Sequence, residues 1–300
     1  MADELKGEQI GNLTHDIIVV KELHDLDSFE AAIEDKDLLT FDAEGVDLSR
    51  IGPATVITIG VPNVGDHVQA FLFDLLIEDD EKSFTTRMMS ILRRVLEDKN
   101  ITKVIHDCRE DSDALNTFHN IRLDGVFDTS IYNMQIKQVT KRDNLNNTLA
   151  IYDCPINCVR NKPKGFYDEH PTFWADRPLT EEQIEWACGD VAFLFMLRER
   201  LLSAVPKGKL PAFQQASQSA PHELRSMGYS QIVKVAKSQV GKVIGAKGCT
   251  IQSIEDQSGT FVTNNLRGFL VLARNQTSLN KAVALIEKKG KRSHHRHSDY

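Results

Sequence analysis

A short apolar segment that ends in two acidic residues constrains this chain more than any other feature. Residues 38–43 read LLTFDA, a run typical of a buried strand, and Asp42 and Glu44 stand at its end. Residues two positions apart in a strand point to the same face, so the two carboxylates converge. Because two carboxylates this close are unfavourable without a cation between them, the segment predicts a metal site at the end of a central strand.

The order of the predicted elements indicates an α/β fold with a mixed sheet. Three strands follow one another between residues 38 and 75, and a helix–strand–helix alternation follows at 84–118. A long helix is expected at 180–202, because a capping-box sequence precedes an extended apolar pattern there.

The C-terminal part of the chain predicts a second, smaller unit. A segment rich in Pro, Gln, Ser and Ala at 206–222 is expected to be the linker. Strands and helices then follow in the order βααββα over residues 223–289, which indicates a small α+β domain. Residues 1–15 are expected to be disordered, and residues 290–300 are expected to form a basic, His-rich tail.

The composition, with 41% hydrophobic and 26% charged residues, predicts a soluble globular protein. No apolar run reaches the ~18–20 residues that cross a membrane, and the polar N-terminus does not have the form of a signal peptide. The five cysteines are therefore expected to be reduced thiols of an intracellular protein, cytoplasmic or nuclear. Cys154 and Cys158 lack a second Cys/His pair at ligand spacing, so incidental thiols are favoured over half a metal site.

The charge is distributed unevenly along the chain. Residues 221–300 contain 13 Lys and Arg against 5 Asp and Glu, a net charge of +8, whereas residues 1–220 carry −15. A basic smaller portion suggests contact with a polyanion such as a nucleic acid. A solvated tail explains only part of this excess, since residues 288–296 supply five of the basic side chains.

Two further acids complete a candidate metal site. Two Mg²⁺ or Mn²⁺ ions ~3.5–4 Å apart can clamp the oxygens of a phosphodiester, and this takes roughly four carboxylates from different elements. Asp111 follows a predicted strand at the start of a helix, and Asp190 lies in the long helix beside the apolar run VAFLFML. Each has an alternative interpretation when taken alone, as part of a charged helix N-terminus for Asp111 and as a helix-surface acid for Asp190.

The ordered set of motifs resembles the DEDD superfamily of 3′–5′ exonucleases, most closely its RNase D-like branch, which includes exonuclease-domain and Egalitarian-like proteins. The similarity covers roughly residues 16–203 and rests on an Asp-x-Glu after an apolar strand, on K-x-x-H-x-x-x-x-D-x-x-x-L, on V-x-D-T and on a W-x-x-R-P-L…D-V segment. Besides Asp42 and Glu44, the matching residues are Lys103, His106, Asp111, Leu115, Asp128, Thr129, Trp174, Arg177, Pro178, Leu179, Gln183, Ala187, Asp190, Val191 and Leu194.

This resemblance implies an RNase H-like exonuclease domain over residues 16–205. It also implies metal-dependent 3′→5′ hydrolysis of single-stranded RNA with release of nucleoside monophosphates, assisted by two Mg²⁺ or Mn²⁺ ions. By the same resemblance, Asp42, Glu44 and Asp190 would hold one ion, and Asp42 with Asp111 would hold or position the second.

One departure from the family concerns the group that orients the attacking water. Trp186 stands where the family has a tyrosine, and an indole can donate a hydrogen bond but cannot accept a proton. Glu185 occupies the position where the related histidine branch places its base, but a solvated helix acid is the favoured interpretation of this residue. An RNA-binding adaptor or scaffold without activity is therefore the rival hypothesis.

The glycine loop Gly245-Ala246-Lys247-Gly248 joins the two short helices of the smaller unit. Its surroundings, V-x-K-V-I-G-x-K-G-x-x-I-x-x-I, resemble a type I KH domain over residues 228–289. The resemblance implies that this loop grips about four single-stranded nucleotides, with Ile244 and Ile251 in the adjoining groove or core. Ile254 and Val262 are expected in the core. The partner is expected to be single-stranded RNA, although DNA remains an alternative. For His294, His295 and His297 in the tail, RNA contact or a disordered chain end is favoured over metal binding.

Overall fold

A computed structural model describes residues 16–64, 67–80, 82–163 and 165–291. The chain divides into two units, Met1–Pro221 and His222–Tyr300. Within the described ranges no helix combines the length and apolar character needed to cross a bilayer. The expected disorder of residues 1–15, and the three histidines predicted in the tail, His294, His295 and His297, lie outside the described residues.

The first unit is built on a six-stranded sheet, which confirms the predicted mixed α/β fold. The strand order is β1-β4-β3-β2-β5-β6; β3 runs antiparallel to both of its neighbours, and the other pairs are parallel. The strands are β1 (Asp16–Val20), β2 (Leu38–Glu44), β3 (Val56–Pro62), β4 (Val68–Asp74), β5 (Thr102–Ile105) and β6 (Val126–Asp128). The strand β2 that carries the two acids is thus central, as predicted.

Helices cover the sheet of the first unit and complete its hydrophobic cores. On one side the ring of Phe29 packs edge-on against Phe71 and Phe73, with centroids 5.0 Å apart. The helices are α1 (Leu23–Ile33), α2 (Ser83–Glu97), α3 (Arg109–His119), α4 (Thr129–Lys137), α5 (Leu145–Ile151), α6 (Phe166–Glu169), α7 (Glu181–Ala192), α8 (Leu194–Ala204) and α9 (Leu210–Ser219), with a 3₁₀ turn at Cys158–Arg160 between α5 and α6.

The prediction of one long helix over 180–202 is wrong in one respect, because the helix breaks at Phe193. That residue ends α7 and begins α8, with φ −102° and ψ 0°. The two halves pack into different cores: Trp186 and Val191 join side chains of β3 and β4, whereas Leu197 joins a second cluster. A straight helix could not follow both surfaces.

The segment 206–222, predicted as a linker, contains helix α9 packed on the first unit. Phe213 is buried, and its ring meets Tyr132 edge-on at 5.5 Å. Ser217 accepts a hydrogen bond from the backbone N–H of Asp128 at 2.6 Å and donates one to the carbonyl of Val126 at 3.1 Å. The composition misled here because only a few side chains of α9 are buried, so its apolar periodicity is weak.

The second unit has the predicted βααββα order and a three-stranded antiparallel sheet, β7-β9-β8. Its elements are β7 (Tyr229–Val233), α10 (Lys237–Ile244), α11 (Cys249–Ser258), β8 (Phe261–Asn265), β9 (Gly268–Ala273) and α12 (Gln276–Gly290). Ile254 and Val262 are buried in its core, as predicted. Ile244 and Ile251 are half-buried and pack against that core.

Candidate active site

The structure brings three of the four predicted acids together. Asp42 and Glu44 end β2, and Asp190 reaches the same point from α7, which packs across β2, β3 and β4. One carboxylate oxygen from each residue lies within 4.8 Å of the other two. Asp42 and Glu44 share one face because they are two positions apart in an extended strand. We refer to Asp42, Glu44 and Asp190 as the carboxylate cluster.

Asp111 lies beside the carboxylate cluster and is not one of its three members. It is buried in the first turn of α3. Desolvation, followed by the negative charge of Asp42, raises the pKa of Asp111 well above its ordinary value. Asp111 is therefore within electrostatic reach of Asp42.

The acids of the cluster repel one another. Desolvation and the charge of Asp190 raise the pKa of Asp42 to about 8. Desolvation and the charge of Asp42 raise the pKa of Glu44 well above its ordinary value. A bound cation would reduce the repulsion between these desolvated carboxylates. Their hard oxygen ligands suit Mg²⁺ or Mn²⁺. The donor set therefore fits a divalent ion.

A cation of the chain itself already contacts the cluster. Arg160 ends the 3₁₀ turn, and its Nη1 donates to Oδ2 of Asp190. Although desolvation opposes it, the three carboxylates raise the pKa of Arg160 above its ordinary range. In return Arg160 lowers the pKa of Asp42 and of Glu44, in part offsetting their repulsion. The sequence analysis missed Arg160, since it belongs to none of the motifs.

Asp190 accepts two more hydrogen bonds besides the one from Arg160. Nδ2 of Asn157 donates to Oδ1 at 2.8 Å, and Nε1 of Trp186 donates to Oδ2 at 3.1 Å. Asn157 also donates to the backbone carbonyl of Trp186 at 2.8 Å, so it ties the loop to the helix. This close approach requires Gly189, because a Cβ there would lie 2.7 Å from Nδ2 of Asn157.

The sequence indicated that Trp186 replaces the group that orients the attacking water. In the structure, Trp186 also supports an acid of the carboxylate cluster. Its N–H donates to the carboxylate of Asp190, and its ring packs against Trp174 and Phe173 with centroids 5.4 and 5.7 Å away. Tyr167 in α6 contributes a phenol whose ring lies 6.4 Å from that of Trp186. Desolvation and the charge of Glu44 raise the pKa of Tyr167 to about 12.

Glu185, the candidate base of the sequence analysis, is exposed on α7, whereas its neighbour Trp186 is buried. Successive helix residues point about 100° apart, so Glu185 does not share the inward face of Trp186. This exposure favours the interpretation of Glu185 as a surface acid.

Two other motif residues support the fold around the site. Lys103 is fully buried and donates to two carbonyls at the end of α2, and desolvation lowers its pKa to about 8. His106 lies between the hydroxyl of Thr129 at 2.8 Å and the carbonyl of Asp143 at 2.9 Å. Lys103 therefore ties β5 to the end of α2, and His106 ties the end of β5 to the start of α4 and to the loop before α5.

Three residues of the glycine loop of the second unit have positive φ values. Gly245, Lys247 and Gly248 have φ values of 76°, 51° and 77°. A Cβ at Gly245 would lie 2.2 Å from Oγ1 of Thr250, so no larger residue fits. Ala246 and Lys247 are exposed just before α11 begins, where a helix N-terminus presents backbone N–H groups.

Comparison with protein families decides the classification. Residues 17–206 match the model of the 3′-5′ exonuclease family, and residues 230–288 match that of the KH domain. The chain belongs to the 3′–5′ exonuclease family. This confirms the predicted combination of an exonuclease domain with a C-terminal KH domain.

Known relatives and solved structures agree with this family assignment. A mouse protein described as piRNA biogenesis protein EXD1 is 28% identical over 183 residues, which are 58% of this chain and 30% of the relative. The chain thus spans about a third of the length of this relative and of two further EXD1 proteins it matches.

Among solved structures, Trypanosoma brucei RNase D in complex with RNA U12 has a TM-score of 0.55 at 20% identity, covering 70% of this chain and 71% of the other. Brucella melitensis NrnC with bound Mg²⁺ has a TM-score of 0.51 at 23% identity, covering 71% and 93%. These similarities confirm the predicted RNase D-like fold.

Proposed function

We propose that this chain is a divalent-metal-dependent 3′→5′ exonuclease that acts on single-stranded RNA, with its KH domain holding the substrate. The observation that carries the proposal is the carboxylate cluster: three acids from β2 and α7 with oxygens within 4.8 Å of one another, in a member of the 3′–5′ exonuclease family. The desolvation of these acids is unfavourable unless the site binds a cation, which supports a metal-dependent role.

In this proposal the carboxylate cluster would hold one divalent ion, and Asp42 with Asp111 would hold or position a second. Such ions would supply Lewis-acid stabilisation of the charge that develops on the phosphodiester oxygens. The chain's own contribution is to orient Asp190, which Asn157 and Trp186 fix by hydrogen bonds at 2.8 and 3.1 Å. Mg²⁺ and Mn²⁺ both suit this ligand set.

The KH domain would raise the local concentration of RNA at the exonuclease site. A second binding module on the same chain makes each later encounter intramolecular, so a released 3′ end is recaptured before the RNA diffuses away. The RNase D neighbour in complex with RNA and the KH match support RNA as the substrate class. The expected products are nucleoside monophosphates.

The direct test follows the 5′-labelled strand. Single-stranded RNA and DNA of one sequence are incubated with the full chain and Mg²⁺, Mn²⁺ or EDTA. We expect a ladder of shortened 5′-labelled RNA with either ion and none with EDTA. Asp42→Asn should abolish the ladder while RNA binding stays nearly unchanged. Loss of binding with retained cleavage would contradict the assignment, and trimming of DNA alone would replace RNA as the substrate.

A second candidate function is an RNA-binding adaptor without nuclease activity. The observation that favours it is the engagement of Asp190 by both Arg160 and Trp186. Trp186→Tyr separates the two functions. Slow trimming by the wild-type chain that Trp186→Tyr accelerates supports the enzyme. If the wild-type chain binds RNA, shows no cleavage with either ion, and gains cleavage only through Trp186→Tyr, the adaptor is the better description.

A further inference from the structure

The guanidinium of Arg160 contacts one of the carboxylates that would bind a divalent ion. It pairs with Asp190, whose side chain is fully buried, and it interacts electrostatically with Asp42 and Glu44. These are the same three carboxylates whose oxygens lie within 4.8 Å of one another. The cation of the chain and a metal ion would therefore share the same ligands.

We infer that Arg160 competes with a divalent ion for the carboxylate of Asp190 and thereby sets the metal concentration at which the site loads. This inference rests on the proposed metal-dependent function. It assigns to Arg160 a role that no motif of the family gives it.

Two features of the local structure make this competition physically reasonable. First, Arg160 is held on a 3₁₀ turn that Asn157 anchors to α7, so the guanidinium stays near the cluster. Second, 36% of the Arg160 side chain is exposed, so the guanidinium can leave for solvent without crossing the core. Asn157 and Trp186 would continue to hold Asp190 after Arg160 has left.

Charge also favours the inference. The cluster carries three negative charges when fully ionised, and Arg160 neutralises one of them. Removing that positive charge leaves a stronger negative potential at the ligands, which attracts a divalent ion more than it attracts a monovalent one. A smaller, neutral side chain at position 160 should therefore increase metal affinity.

The experiment measures Mn²⁺ binding to the full chain without RNA, by titration calorimetry and by paramagnetic resonance of free Mn²⁺. We expect Arg160→Gln to bind Mn²⁺ at least about tenfold more tightly than the wild-type chain. The matched control is Lys162→Gln. It removes the same charge two residues further along the chain, from a lysine that pairs with Glu182. The Mn²⁺ affinity of this control should stay within about twofold of the wild type, because a charge outside the cluster is largely screened.

Equal or weaker Mn²⁺ binding by Arg160→Gln overturns the inference, and so does an equal gain in Lys162→Gln. If Arg160→Gln does not fold, Arg160→Lys decides by the same comparison, because lysine keeps the charge but loses the planar fork that holds a carboxylate. Tighter binding by Arg160→Lys supports competition, and unchanged or weaker binding refutes it. Because the metal titration contains no RNA, a negative result in it does not affect the cleavage test of the proposed function. Likewise, a lack of cleavage at saturating metal does not affect the comparison of Mn²⁺ affinities.

Discussion

Replacing Gly189 by alanine tests whether the loop that carries Arg160 depends on contact with α7. A Cβ at position 189 would lie 2.7, 2.8 and 3.0 Å from Nδ2, Cγ and Oδ1 of Asn157. These distances are shorter than van der Waals contact, so the Asn157 side chain must move. It would then lose its hydrogen bonds to the carbonyl of Trp186 and to the carboxylate of Asp190, each 2.8 Å long.

The size of the effect follows from these two bonds. A hydrogen bond to a charged group contributes about 1.5–3 kcal/mol and one between neutral groups about 0.5–1.5 kcal/mol. Alanine in place of glycine returns about 1 kcal/mol of helix propensity. We therefore expect Gly189→Ala to lower the free energy of unfolding of the first unit by about 1–3.5 kcal/mol.

Urea denaturation followed by tryptophan fluorescence measures this change. Both tryptophans of the chain, Trp174 and Trp186, lie in the first unit, so their emission reports that unit. The matched control introduces the same alanine in an Asn157→Ala background, where no side chain opposes the new Cβ. There Gly189→Ala should be stabilising by up to about 1 kcal/mol. A neutral or stabilising effect in the wild-type background, or the same loss in both backgrounds, would refute the reasoning.

Three further predictions test other parts of the chain. Replacing both Ala246 and Lys247 by Asp should weaken single-stranded RNA binding by about tenfold or more through phosphate repulsion, while the circular dichroism spectrum is unchanged. Lys247→Gln alone should cause a smaller loss of affinity. Equal RNA affinity of the double variant and the wild type at matched salt would exclude the loop as an RNA-binding site. Glu185→Gln should change the cleavage rate little, since the side chain is exposed, whereas a fall of about 10²–10⁴-fold would make Glu185 the base. Phe213→Ala should lower the stability of the first unit by about 3–5 kcal/mol in the same fluorescence assay, and a change below about 0.5 kcal/mol would restore residues 206–222 as a linker.

The sequence by itself was sufficient to predict the parts of this protein that depend on local spacing. Asp42 and Glu44 were predicted to converge because alternate residues of a strand share a face, and the structure places their oxygens within 4.8 Å of each other. The βααββα order of the second unit also follows from short-range patterns, whereas the positive φ of Gly245 and the lack of space for a side chain there are seen in the structure.

The tertiary structure alone decided which side chains from outside α7 surround Asp190. Arg160 and Asn157 lie some thirty positions before it, as the printed sequence shows, in a loop without helical or strand periodicity, and their contact depends on how α7 packs against the sheet. The break at Phe193 and the packing of α9 have the same origin, because each depends on long-range contacts: Leu197 and Phe213 join one hydrophobic cluster, and Trp186 and Val191 join another. Spacing along the chain defines the faces of an element, but only packing defines what those faces contact.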